Sequence, residues 1–313
     1  MQKVKVICQN TLSTIEVEMG TSLLELLPQL QIECQHPFLA AYVNNRLKEL
    51  NYRIFKPLMV RFIDITHFAG YRVYQRTLSF ILQKAVDMLS PERTLHIRHS
   101  IGSGVYCEFD DGVPPTEEDI ARLRELMQQI IDHAYPIERV TLPTAEVEAI
   151  YRTKGYDDKI ALLNTRKRLY SDMYVMDDAV GYFYGALTPN TSYIHLFDIR
   201  AYYNGFYVAI PSRTRPDTLD ESLYRDKLFD VFKQYHAWVK VLGVPTVGHL
   251  NEKILQGDGG TLIKVAEALH ERKMAQVVDK IFEAVGYRKP QCYLLQIEGF
   301  CLYQVSGTLW CYG

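Results

Sequence analysis

The chain has 313 residues, a formal net charge of −2 and 48% apolar residues. That length suits two or three domains with real cores, and the near-neutral balance excludes a global field that draws the chain to nucleic acid or membrane. No run of 18 apolar residues occurs, so no transmembrane helix is expected. The first twenty residues alternate and carry charge where a signal peptide would be apolar, so a cytoplasmic location is expected. The six cysteines, Cys8, Cys34, Cys107, Cys292, Cys301 and Cys311, include no CxxC pair and are expected to be reduced and mostly buried.

Residues 1–66 read as a small α/β module. Val4, Val6 and Cys8 alternate, as do Ile15 and Val17, which predicts two strands joined by a turn. Gly20-Thr21-Ser22 opens a short helix with Leu23, Leu24 and Leu27 on its apolar side. Asn44-Asn45 marks the turn of a hairpin, and LMVRFIDI is a last strand. With Gly20, Thr21, Ala41, Val43, Asn44, Leu47, Leu50 and Phe62-Ile63, this segment resembles a TGS domain, a ubiquitin-like β-grasp module found in threonyl-tRNA synthetase, some GTPases and stringent-response enzymes.

Residues 67–212 begin with a helix over about 71–90, striped by Val73, Leu78, Ile81, Leu82, Ala85 and Leu89. A strand pair, LHIRHS and GVYCEFDD, follows. Thr116 to Asp119 is close to a capping box and starts a helix carrying Ile120, Leu123, Met127, Ile130 and Ile131. Helices over about 144–154 and 157–169, and strands around 172–178 and 193–209, complete the region.

Within it, residues 182–206 resemble the metal-binding segment of the second additional domain of threonyl- and alanyl-tRNA synthetases. That segment reads Cys-x-x-x-His just before a Pro-Asn-Thr-like turn. Here the turn is present as Pro189, Asn190 and Thr191, while Phe183 and Leu187 occupy the ligand slots. The family's His-x-x-x-His, on one helix face, aligns with Arg76 and Phe80. The resemblance therefore implies an α+β editing-domain scaffold whose catalytic and metal-ligating residues are both missing, because three of the four side chains are apolar and Arg does not deprotonate to bind a metal.

Residues 213–285 are predicted to be mostly helical, with Leu228, Phe229, Phe232, Trp238 and Leu242 in one amphipathic stretch. A second stretch is entered through Gly257-Asp258-Gly259-Gly260, with Thr261 as its expected N-cap. The segments LNEKI and EALHERKMAQVVDKI resemble the helical connector of a bacterial uridine kinase-like nucleoside kinase family. That family's order is a TGS-like module, a synthetase-like domain, this connector and a P-loop kinase domain. The resemblance implies ATP and Mg²⁺ in the full-length parent and neither in this chain. Residues 286–313 hold three cysteines and three charged residues, and no Gly-Lys step occurs anywhere. The tail is therefore expected to be atypical: disordered, or the product of truncation or a shifted frame.

Other constellations carry less chemistry. His96, His99 and Cys107 suggest a metal set, but strand residues three apart face opposite ways, so the two histidines converge only across a bulge. Asp110-Asp111 and Asp177-Asp178 are expected to diverge into solvent. Ser103 lacks a nucleophile-elbow frame. Arg72, Arg76, Lys84, Arg93 and Arg98 form a loose basic band, and Arg166, Lys167 and Arg168 form a tight cluster; of these, all but Arg93 are taken as candidate RNA or phosphate contacts.

Three functions follow. The first is a non-catalytic accessory region of an ATP-dependent nucleoside kinase, partnered by the kinase domain and by RNA or a nucleotide. The second is a stand-alone tRNA- or RNA-binding protein related to threonyl-tRNA synthetase. The third is a deacylase of mischarged tRNA, which needs the missing His and Cys side chains.

Overall fold

The computed structural model describes residues 2–219, 226–285, 294–297, 300–305 and 308–312, with side-chain environments over 2–219 and 229–283. The chain divides into two compact units, Met1–Trp238 and Val239–Gly313. The fold is α+β.

In the first unit, β1 (Lys3–Cys8) and β2 (Ser13–Glu18) form an antiparallel hairpin. Alternation along β1 places Val4, Val6 and Cys8 inward. Helix α1 (Leu23–Leu30) begins at a full capping box, Ser22 with Glu25, and buries Leu23, Leu26 and Leu30. Strands β3 (Ala40–Val43) and β4 (Arg46–Lys48) turn at Asn44 and Asn45, both at positive φ (47° and 63°), as a tight primed turn requires. Strand β5 (Leu58–Ile63) enters the middle, parallel to β1 and antiparallel to β3. The sheet order β2-β1-β5-β3-β4 with α1 across one face is the β-grasp arrangement.

Helix α2 (Phe68–Leu89) follows and is the spine of the second module. Its stripe of Val73, Leu78, Ile81, Leu82 and Ala85 is fully buried. Strands β6 (Leu95–Ile101) and β7 (Gly104–Phe109) pair with a register shift between Ile97 and His99. Helix α3 (Glu117–Asp132) starts at a Thr116/Asp119 capping box and packs on α2. Then come β8 (Glu138–Pro143), α4 (Thr144–Thr153), α5 (Asp157–Arg166), β9 (Tyr170–Met176) and β10 (Ala179–Gly181). A 3-10 turn at Thr191–Tyr193 leads to β11 (Asp198–Tyr202) and β12 (Gly205–Ala209). Two sheets result, β10-β9-β8 and β11-β12-β7-β6. Helix α6 (Asp226–Val241) brings Phe229, Phe232 and His236 against the second of them.

The second unit contains α7 (Val247–Leu255), α8 (Gly259–Val285) and three antiparallel strands, β13 (Leu294–Ile297), β14 (Phe300–Val305) and β15 (Thr308–Tyr312). Thr261 lies inside α8 and not at its cap, because the helix already begins at Gly259. The expected burial of cysteines holds for Cys8 and Cys107, whereas Cys34 is exposed in the loop after α1; Cys292 and the side chains of Cys301 and Cys311 lie outside the described residues. Among the described residues no helix is long and apolar enough to cross a membrane.

Candidate functional site

The four positions that the synthetase resemblance assigns to ligand slots lie on α2 and on the loop that crosses it. Arg76 and Phe80 sit one turn apart on α2, and residues 183–187 follow β10 across that face. The Phe80 and Phe183 rings pack at 5.3 Å between centroids, tilted by 57°. The Tyr174 ring meets Phe183 edge-on at 6.1 Å. Leu187 is wholly buried in the same core as Phe80. Arg76 donates from Nε and Nη2 to the Ala186 carbonyl, at 3.1 and 3.0 Å.

Two glycines make this closure fit. A Cβ at Gly181 would lie 2.7 Å from the Phe183 ring and 3.1 Å from the Phe80 ring. Gly185 has φ +132°, which disfavours a side chain, and a Cβ there would lie 3.0 Å from the Arg76 guanidinium carbon.

The Pro189-Asn190-Thr191 turn is held from several directions. The Pro189 carbonyl accepts from Ile137 N–H at 2.9 Å, and Thr191 N–H donates to the Tyr135 carbonyl at 3.0 Å. Asn190 Oδ1 caps the 3-10 turn by accepting from Ser192 N–H at 3.0 Å. Thr191 Oγ1 donates to the Ile130 carbonyl at 2.7 Å, and Thr188 N–H donates to Thr77 Oγ1 at 3.1 Å. The turn is thus a structural clasp between α2, α3 and the loop.

Beside it, the β-grasp module contributes Glu49. The Tyr174 hydroxyl, with one proton to donate, sits between Glu49 Oε1 and the Gly185 carbonyl. Arg139 bridges Glu49 at 3.5 Å and Asp172 at 2.6 Å. Burial, and then the Glu49 charge, push the Tyr174 phenol far up, so it stays a neutral donor. The arrangement offers no nucleophile near Phe183 and no metal donor set; among the described residues no group of three or more His, Cys, Asp or Glu side chains is placed to hold a metal ion.

The basic band separates into distinct roles. Arg72 is exposed over the Phe68 ring at 4.8 Å. Arg76 is committed to Ala186. Lys84 is buried and paired with Asp177 and Asp178, so it does not face solvent. Arg98 is half-buried and binds Glu108 at 2.7 Å. Arg93 forks onto Asp111 at 2.7 and 2.9 Å. The Arg166 guanidinium lies over the Tyr182 and Tyr184 rings, at 5.5 and 5.8 Å, while Lys167 and Arg168 are exposed.

Two sequence expectations need correction. Asp177 and Asp178 converge on Lys84, because they form the β9–β10 turn with Asp177 at φ +54°. His96 and His99 share a face, because the register shift makes His96 oppose Glu108 and His99 oppose Tyr106, two residues apart on β7. That face receives α6, with His99 stacked on Phe232 at 3.9 Å. Cys107 belongs to the main core on the other side of the sheet. Sequence reading missed Glu49, Tyr174, Tyr182, Tyr184 and His236. The Tyr182-x-Tyr184 spacing, which puts two rings on one side of an extended segment, was the available signal.

No protein-family model matches the chain. A threonine–tRNA ligase from Clostridium kluyveri (strain ATCC 8527) is 31% identical over 149 residues, covering 48% of this chain and 23% of the ligase. The threonine–tRNA ligase of Acetivibrio thermocellus is 29% identical over 151 residues, covering 48% of this chain and 24% of its own. That of Geobacter sp. (strain M21) is 25% identical over 190 residues, covering 59% and 30%.

The chain is similar to part of threonine–tRNA ligases.

The matches span less than a third of each ligase's own length. These relatives support the synthetase half of the resemblance read from the sequence and add nothing to its nucleoside-kinase half.

Proposed function

We propose that this chain is an RNA-binding region related to threonine–tRNA ligases, which holds tRNA-like RNA without hydrolysing its aminoacyl ester. One observation carries the second clause. Phe80, Phe183 and Leu187 pack into the core where the synthetase resemblance places reactive side chains, and Arg76 is fixed on a backbone carbonyl. The first clause draws on the tRNA in the relatives' name and on the exposed charges of Arg72, Lys167 and Arg168. The nucleoside-kinase accessory role, for which only the connector segments and the module order speak, is not adopted, and the proposal requires neither nucleotide nor metal.

The test is filter retention of labelled tRNA on the purified chain across a salt series, with a parallel assay of ester loss from mischarged tRNA. Retention that weakens steadily with salt, together with ester loss at the uncatalysed rate, is the expected result. Absent or salt-indifferent retention overturns the binding clause, and accelerated ester loss overturns the other.

A further inference from the structure

The residues that close the interior also build something outside. Along 182–184 the side chains alternate, as an extended segment dictates. Phe183 turns in to Phe80 and Tyr174, while Tyr182 and Tyr184 turn toward the end of α5. There the two tyrosine rings meet edge-to-face at 5.0 Å and 86°. The Arg166 guanidinium lies within reach of both rings. Tyr182 is anchored, being packed against the small core of Val147, Tyr151, Leu163, Met173 and Val180. Tyr184 is free at its outer face and 69% exposed. The helix then ends in a left-handed residue, Lys167 at φ +50°, which turns the chain sharply before Arg168. Lys167 and Arg168 are exposed and, among the described residues, form no salt bridge; the Asp172 carboxyl, raised by burial, is lowered overall by its hydrogen bonds to Thr141 and Arg139, with Arg168 a last and lesser contributor.

We propose that the Tyr184–Tyr182–Arg166 platform, with Lys167 and Arg168 beside it, is a stacking seat for an unpaired segment of single-stranded RNA. The proposal rests on the RNA-binding reading above and gives it a location. An exposed ring held by an anchored neighbour loses little freedom when a base stacks on it, and every base has a π face to offer. The guanidinium adds a cation–π contact and a fork for phosphate. Lys167 and Arg168, exposed directly after Arg166 and in no salt bridge among the described residues, offer positive charge to phosphates that a neutral peptide would not use. The other occupant such a surface suits is an anionic membrane, because Leu169 and Tyr170 are also strongly exposed, at 85% and 62%.

The experiment is fluorescence-anisotropy titration of the full chain with full-length tRNA, with a labelled eight-nucleotide single-stranded RNA and with the same RNA annealed to its complement. Tyr184→Ala is expected to weaken single-strand binding at least about fivefold, the lower end of loss for one stacked base. Tyr184→Trp is expected to retain it, because the π face is kept. Lys167→Gln with Arg168→Gln is expected to weaken binding and to flatten its salt dependence, whereas Tyr184→Ala leaves the salt slope unchanged. Circular dichroism melts of each variant confirm the fold, which Tyr184, exposed as it is, does not hold together. If the wild-type chain retains tRNA while Tyr184→Ala binds single strands as tightly as wild type, the platform assignment falls and the RNA reading stands. If the wild type retains no RNA, both fall. Co-sedimentation with vesicles of phosphatidylglycerol and phosphatidylcholine that depends on Tyr184, with no single-strand binding, overturns the assignment in favour of a membrane surface.

Discussion

Lys84 Nζ donates to Asp177 Oδ2 at 2.9 Å, from inside α2 to the tip of the β9–β10 turn. Asp178 accepts from the same ammonium. The pair is unequal: the lysine side chain is 6% exposed, while the aspartates are 48% and 75% exposed. Burial alone would lower the Lys84 pKa, but the hydrogen bonds to Asp178 and Asp177 outweigh it and the value is raised. The hairpin is therefore tied to the helix by a charge that has left water. Replacing both aspartates by asparagine should cost about 1.5–3 kcal/mol, the range for hydrogen bonds to a charged group. The larger penalty of a fully buried pair does not apply, because the carboxylates keep their contact with water. Lys84→Met should cost less, since it removes the ammonium that needs compensation. Urea titration of both variants checks the order, and a reversed order would show that the ammonium is not desolvated. The Lys84 hydrogen bond lowers the Asp178 pKa below its ordinary 3.8, so this stabilisation is complete above that pH and is lost as pH falls through the lowered value.

A second pH dependence lies at α6. Nδ1 and Nε2 of His99, and Nε2 of His236, are buried without hydrogen-bond partners among the described residues. Desolvation, then repulsion from His236, hold the His99 pKa at about 4, against an ordinary 6.5. Arg98 adds to the effect and Glu108 opposes it. The His236 pKa is lowered too, by burial first and by Arg98 next. The unfolded chain thus binds more protons than the folded one between these values. Helix docking should be fully stable above pH 6.5 and weaken as the pH falls toward 4. Amide exchange in α6, compared at pH 7 and pH 5 after correction for the intrinsic rate, is expected to show less protection at pH 5. His99→Phe should abolish most of that difference, and an unchanged difference would mean that His99 is not its source.

The thiols give a simple accessibility check. Cys8 and Cys107 are buried, and burial pushes the Cys107 thiol far up, which suppresses its thiolate. Cys34 is exposed. Alkylation of the native chain followed by peptide mapping should label Cys34 within minutes and leave Cys8 and Cys107 unlabelled until denaturant is added. Native labelling of Cys107 would contradict the packing of β7 in the core.

The parts of the fold that were legible in the sequence are those written in short spacings. Ser22 and Glu25, or Thr116 and Asp119, satisfy orphan N–H groups three residues away, so the signal is local and complete. Asn44-Asn45 and the stripe on α2 are of the same kind. The missed features depend on distant partners or on one extra residue. Nothing near Asp177 and Asp178 announces a lysine some ninety positions earlier in the chain. A single added residue at Arg98 reversed the facing of His99 relative to a regular strand. Glu49 reaches Tyr174 and Arg139 only because two modules pack together. At the candidate site, the synthetase resemblance named the four positions; the closure by Gly181 and Gly185 and the outer tyrosines required the path of the loop.

That closure makes the last prediction the most direct. If Phe80 is now a packing residue, its truncation should behave like a core cavity and not like the loss of a binding group. Phe80 is fully buried and meets Phe183 at 5.3 Å, so Phe80→Ala forfeits the transfer energy of a ring and leaves a void that Phe183 fills only in part. The expected loss is about 3–5 kcal/mol. Phe80→Leu keeps most of the volume and should lose clearly less than Phe80→Ala. Because the site faces inward, Phe80→Leu should retain tRNA as the wild type does, provided binding is measured well below its unfolding midpoint. Denaturant titration gives the stabilities, and filter retention gives the binding. A loss under about 1 kcal/mol for Phe80→Ala would mean that the cleft was open before truncation. Weaker tRNA retention by a folded Phe80→Leu would place RNA inside the module, against the exterior seat at Tyr184.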